Sequence, residues 1–291
     1  MIRGMFFGLG SAIGFGFADL LGAISTRRIG VATTLLVIQV VDVLAMAALL
    51  LTPLPGQGAL EASGVARLAI VGSGLLGTVS YVALYRALQL GPIAVVSPVF
   101  ASYAAVAVIL SVLLHGERPS AMASAGVVLT VLGVVLASTR GEARQRAAGS
   151  WGGIPLALVA MVGWGVATFV IGLYAQETGW YLPVFGSRVV EFTLIAAAIL
   201  VLRLRGAKLA APRGTSAAIP VLSGLADALA VSLFARASEQ GLVSVAAAVS
   251  ATFPLVLIAG GFALFHERPS IRQWTGVLST VVGLVALGIG R

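Results

Sequence analysis

Gln39, Asp42, Arg188, Glu191 and Asp227 stand inside long apolar runs of the sequence. Asp42 follows Gln39 by three residues and Glu191 follows Arg188 by three, so in a helix each pair shares one face. A charge within an apolar segment of membrane length costs roughly 2.5–3.5 kcal/mol on insertion scales, and such residues usually line a solute or ion path. These side chains could form the wall of a polar cavity that binds a charged or zwitterionic solute. Arg188 and Glu191 could equally pair with each other and fix the rotation of their helix. Asp227 stands mid-way in its run with no acidic equivalent in the first half of the chain; an unpaired acid there could carry a proton or contact a substrate amine. Asp19 is near Arg27 and Arg28, which suggests an ion pair at the membrane interface.

Aromatic residues offer a second chemistry, stacking against a solute. Phe15, Tyr81, Tyr103, Trp164 and Phe253 are the candidates, and Tyr81 shares a helical face with Tyr85 at i, i+4. Packing or lipid contact is the plainer role for each. Pro254 lies mid-run, where it removes a backbone hydrogen bond; the expected kink would serve as a gate or simply shape the cavity. Arg86 and Arg236 stand just before Gly91 and Gly241 and are suited to bonding the last carbonyls of a helix. Glu117 and Glu267 sit in loops, where they would cap the following helix or pair with Arg118 and Arg268.

Other chemistries find no residues. Cysteine is absent, which removes disulfides, thiolate catalysis and thiolate metal sites. His115 and His266 are too few for a metal cluster, and no cofactor is expected. The run Gly8-Leu9-Gly10-Ser11-Ala12-Ile13-Gly14 resembles a phosphate loop only in composition, because it lies within an apolar helix. No Walker motif is present. The net charge of +8 comes with no basic patch interleaved with aromatics, so nucleic acid is not an expected partner.

The elements that must hold these residues are membrane helices. The chain has 291 residues, 59% hydrophobic and only 10% charged, too little charge to cover a water-soluble domain. Apolar runs of about 20 residues, the length that crosses a hydrocarbon core, recur throughout. They predict ten helices near 4–24, 31–52, 66–88, 92–114, 121–138, 151–174, 181–203, 217–238, 242–265 and 271–290. The first is read as a retained helix rather than a signal peptide, for want of a cleavage site. The 36 glycines, with small-xxx-small pairs such as Gly4/Gly8 and Gly10/Gly14, predict closely packed helices. The expected location is the inner cell membrane, as a multi-pass protein and a monomer.

A polar linker, 139–150, separates a first half, 1–138, from a second, 151–291. Shifted by 150 residues, Arg86, Ala87 and Gly91 fall on Arg236, Ala237 and Gly241, and Glu117-Arg118-Pro119-Ser120 falls on Glu267-Arg268-Pro269-Ser270. Gly126 and Gly133 fall on Gly276 and Gly283, and roughly a third of positions across 86–138 are identical. With a shift of 149, Phe15-Gly16 meets Trp164-Gly165, Gln39 meets Arg188 and Asp42 meets Glu191. Tyr103 matches Phe253, whereas Asp227 meets the Gly77-Thr78 region. Five helices per half is an odd number, so the second copy must enter the membrane inverted. The predicted fold is therefore all-α, ten transmembrane helices as two inverted five-helix repeats. This architecture commonly places a solute site near the midplane between the repeats.

Those residues carry a family resemblance over nearly the whole chain. The aromatic-Gly pairs Phe15-Gly16 and Trp164-Gly165, the signatures L-L-H-G-E-R-P-S and L-F-H-E-R-P-S, and the glycine pairs of each fifth helix resemble two EamA domains. The chain is similar to the drug/metabolite transporter superfamily. Pro254 matches that family's fourth-helix proline, while the first half has Ala104 there and a displaced Pro98. Arg188 matches an arginine common in the family's second helix, where the first half has Gln39. The resemblance implies a secondary transporter that exports an amino acid, another metabolite or a drug-like amphiphile by alternating access, with protons as a possible coupling ion. An uncoupled facilitator has the same architecture. A membrane-embedded enzyme or assembly factor is the reading from another class, and no His, Cys and Ser constellation supports it. The resemblance also implies cytoplasmic termini, whereas the arginines argue the opposite: with both termini external, the basic loops face the cytoplasm.

Overall fold

The computed structural model describes residues 2–51, 62–91, 93–137, 153–207, 209–210, 213–256 and 271–289, and among these it contains helices and turns but no strand. The first half holds α1 (Ile2–Ile29), α2 (Val31–Leu49), α3 (Gly64–Leu90), α4 (Ile93–Ala101), α5 (Tyr103–Leu113) and α6 (Ala121–Ala137). The second holds α7 (Ile154–Thr178), α8 (Tyr181–Leu204), α9 (Thr215–Glu239), α10 (Val243–Ser250) and α11 (Ile271–Ile289). Six of these, α1, α2, α3, α7, α8 and α9, contain segments long and apolar enough to cross a membrane. Large apolar side chains such as Leu75, Val79, Leu222 and Leu229 remain exposed along them. Surface of that kind needs a lipid solvent, and the chain is a multi-pass membrane protein.

The predicted span 92–114 is not one helix. It breaks between α4 and α5 at Ser102, where i, i+3 bonds (Ser102 to the Val99 carbonyl, Ala105 to the Ser102 carbonyl) replace the α pattern. The second half breaks at the same place: α10 ends at Ser250, and Thr252, Phe253, Leu255 and Val256 bond three residues back. Pro254 follows this break, yet the equivalent first-half position is Ala104. The proline therefore does not by itself account for the kink predicted from it. The rest of the predicted span 242–265, and His266, Glu267 and Arg268 after it, lie outside the described residues.

Contacts run mainly between the halves. Helix α1 packs on α9 and α10, and α7 packs on α3, α4 and α5; α6 packs on α11. The glycines explain the close approach. A methyl group on Gly14 would meet Ala230 and the Ala226 carbonyl, and one on Gly163 would meet Ser80 and the Leu76 carbonyl. Likewise Gly16 faces Val256 and the Phe253 carbonyl, while Gly165 faces Val106 and the Tyr103 carbonyl. Gly133 lies on Thr280 and the Gly276 carbonyl, and Gly283 on Thr130 and the Gly126 carbonyl. Each pair of contacts is the other with the halves exchanged. Gly30 and Gly179, both at φ 82°, make the two corners α1–α2 and α7–α8, a conformation that a side chain would strain.

Candidate functional site

Helices α2, α3, α7, α8 and α9 converge on one buried guanidinium. Arg188, on α8, is 1% exposed and touches three acids from three helices. Its Nη1 donates to Glu191 Oε2 at 2.5 Å, one turn along the same helix. Its Nη2 lies 2.9 Å from Asp227 Oδ2 on α9, and its Nε 3.8 Å from Asp42 Oδ2 on α2. The Tyr81 hydroxyl, on α3, donates to Asp227 Oδ2 at 2.7 Å. Gln39 Nε2 donates to Glu191 Oε2 at 3.2 Å across the halves. Under the 149-residue shift this contact and the Arg188–Asp42 contact are again one interaction with the halves exchanged.

The predicted Arg188–Glu191 pair is present but belongs to a larger centre. Asp227, expected to be unpaired, is held by both Arg188 and Tyr81; its partners come from helices that the linear sequence does not place nearby. Asp19 requires a second correction. It is buried on α1, within Coulombic range of Asp227, Tyr85 and Tyr103. Eight residues separate it from Arg27, roughly 12 Å along a helix, and Arg27 instead donates to the carbonyls of Leu88 and Gly91.

The aromatic candidates also meet. Trp164 lies 5.0 Å from Tyr81 and 6.2 Å from Phe15, its repeat mate, between ring centroids. Phe100, which the sequence did not single out, joins Trp164, Tyr103 and Phe253 at 6.5, 5.6 and 5.9 Å. Tyr81 stacks on Tyr85 at 6.1 Å. The guanidinium carbon of Arg188 lies 5.2 Å from the Tyr81 centroid and 5.7 Å from that of Trp164, within cation–π range. Gly77 is a second residue that was not singled out for the site. A side chain there would run into the Glu191 carboxylate, so the glycine opposite Asp227 in the repeat makes room for that acid.

At the periphery, Arg86 pairs with Gln89 and Arg236 with Glu239, rather than with helix-end carbonyls. The carbonyl ends of α3 and α9 are bonded by Arg27 and Gln176, which align under the 149-residue shift. Glu117 does cap a helix, but not the next one. It accepts from the Val243 and Ser244 amides of α10, at 2.7 and 3.2 Å, in the other half. His115 bonds Gln176 at 3.2 Å.

No group of three or more His, Cys, Asp or Glu side chains able to hold a metal ion occurs among the described residues. What the centre offers is a desolvated charge network between the halves, with aromatic faces beside it.

Comparison with known proteins agrees with this architecture. A solved crystal structure, identified only as that of a protein, superposes over 97% of this chain and 95% of its own, with a TM-score of 0.75 and 18% identity. At that identity the likeness concerns the fold alone. No curated sequence matches the chain. Residues 2–139 match the EamA-like transporter family. The all-helical membrane architecture agrees with that match, which makes the first half, residues 2–139, similar to an EamA-like transporter domain.

Proposed function

We propose that the protein is a secondary transporter that moves a small organic solute by alternating access, with the Arg188 centre as its binding site. One observation carries this reading: Arg188, Glu191 and Asp227 of the second half meet Gln39, Asp42 and Tyr81 of the first in a buried network. A structural ion pair needs two partners. Here the charges are drawn from both halves, so any rocking of one half against the other remakes the network. Reciprocal contacts support a two-fold relation between the halves, because residue i meets j where j's mate meets i's mate. With the broken fourth helix of each half counted as one span, the count is ten spans in two inverted repeats. Irregular backbone at Ser102 and at 251–253 is tolerated in a bilayer only where protein or a cavity covers it, and Tyr103 and Phe253 at these breaks are buried. The breaks, with Pro254 beside one of them, are the proposed gates. The direction is export across the inner membrane, and protons are the proposed coupling ion.

The test is solute flux in proteoliposomes containing the purified protein, with Asp42→Asn and Asp227→Asn beside it. Flux that is saturable in the parent protein and lost in both variants supports the reading. Absence of flux for every solute class, with correctly folded protein in the vesicles, refutes it.

A further inference from the structure

We propose that the solute is an organic cation with a guanidinium or primary ammonium head on an apolar body, and that its head takes the position now filled by the Arg188 guanidinium. This rests on the transport reading and assigns its substrate class. The surroundings of Arg188 are those that recognise a weakly hydrated cation: carboxylates Asp42, Glu191 and Asp227, and the ring faces of Tyr81 and Trp164. Four of these five residues come from helices other than the arginine's own. The cage therefore exists independently of the stem that fills it.

Acidic groups outnumber the single basic group here, which favours a ligand that brings positive charge. Arg188 faces three carboxylates, and Asp19 adds a fourth within Coulombic range of Asp227. An anion entering here would meet those acids with its only attractive partner already engaged. Unsatisfied acceptors point the same way, while the unsatisfied Nε and Nη2 of Arg188 belong to the group that the ligand head would displace. Both carboxylate oxygens of Asp42 and the Oε1 of Gln39 are buried without a hydrogen-bond partner. An amide oxygen and an ionised carboxylate only accept, so a ligand that satisfies them must bring donors.

The present occupant is loosely seated. Nε and Nη2 of Arg188 make ion-pair contacts with Asp42 and Asp227 but no hydrogen bond of proper geometry. An incoming head with free donors can improve on that, while the long arginine stem swings aside. The apolar body then has a platform at hand, since Trp164 continues into Phe15 and Phe100.

The experiment is chemical rescue. The Arg188→Ala variant is purified in detergent and its melting temperature is read with methylguanidinium chloride, butylammonium chloride, sodium acetate or sodium chloride at equal ionic strength. The expected result is a lowered melting temperature, largely restored by millimolar methylguanidinium, partly by butylammonium, and by neither sodium salt. Rescue by acetate, or by nothing, overturns the proposal. Should Arg188→Ala not fold, phenethylammonium is titrated against the parent protein by tryptophan fluorescence. Saturable quenching, weakened at least about tenfold by Asp42→Asn, is expected; no saturation, or no weakening, overturns it. Vesicle flux separates the two readings. Flux of neutral or anionic solutes without any cation flux keeps the transporter and refutes the cation site. Cation binding without flux of any solute keeps the cation site and refutes the transporter.

Discussion

Arg188 is the residue whose neighbours define the centre, and its burial with three acids sets the energetics. Removing one member of a buried charge network leaves its partners uncompensated, at a cost of about 3–5 kcal/mol. Arg188→Met should therefore lower the melting temperature sharply, whereas Arg188→Met combined with Glu191→Met should recover part of the loss; a thermal unfolding series on the purified variants checks this. Asp42→Asn and Asp227→Asn keep shape while removing charge. Both should insert and fold, because neutral amides cost less to bury than carboxylates, and both should lose transport, as read by flux in vesicles. Unchanged flux would return these residues to a packing role. Gly77 supplies a steric counterpart: Gly77→Ala places a methyl group against the Glu191 carboxylate and should depress flux while expression is retained.

At the scale of elements, the close helix contacts depend on small residues and on caps donated across the halves. Gly14 and Gly163 occupy equivalent crossings of α1 on α9 and of α7 on α3. Gly14→Leu or Gly163→Leu forces these helices apart, and each should cost about 1–3 kcal/mol as overpacking, measured as a fall in melting temperature. Glu117 holds two amides at the start of α10. Glu117→Ala removes a cap worth about 0.5–2 kcal/mol; accelerated amide exchange at Val243 and Ser244, with the rest of the protein unaffected, is the expected signature. That cap was half legible. Sequence indicated a capping glutamate, but the helix it caps is 126 residues away and not the adjacent one. The break of the first half's fourth helix was not legible from its uninterrupted hydropathy, and Pro254 signalled only the second half's, because burial by other helices is what satisfies irregular backbone there.

For the whole molecule, orientation follows from where arginine accumulates. Helix ends and connections carrying Arg27, Arg28, Arg140, Arg144, Arg146, Arg203, Arg205 and Arg213 alternate along the sequence with connections that carry few basic residues. Cytoplasmic retention of these basic segments would put both termini on the external face, and that is the predicted orientation. A single cysteine introduced at Ser150, in a chain that has none, should resist a membrane-impermeant maleimide in intact cells and react after permeabilisation. Labelling of intact cells would reverse the assignment.

Sequence alone determined the membrane class and the six long apolar helices, and it supplied the matches at a fixed shift from which a repeat is predicted, because each rests on local quantities: apolar length against bilayer thickness, and residue identity along the chain. It also marked Asp42, Arg188, Glu191 and Asp227, since a charge inside an apolar run stands out wherever it lies. Partnership was a different matter. Helix rotation and the packing of one half on the other brought Asp227 to Arg188 and Tyr81, carried Asp19 inward from its expected place at the interface, and joined Phe100 to the rings around Trp164. Those contacts join helices far apart in the chain, Asp19 of the first and Asp227 of the ninth among them, and only tertiary structure decided them, because which faces meet depends on the combined small-residue packing of every helix between.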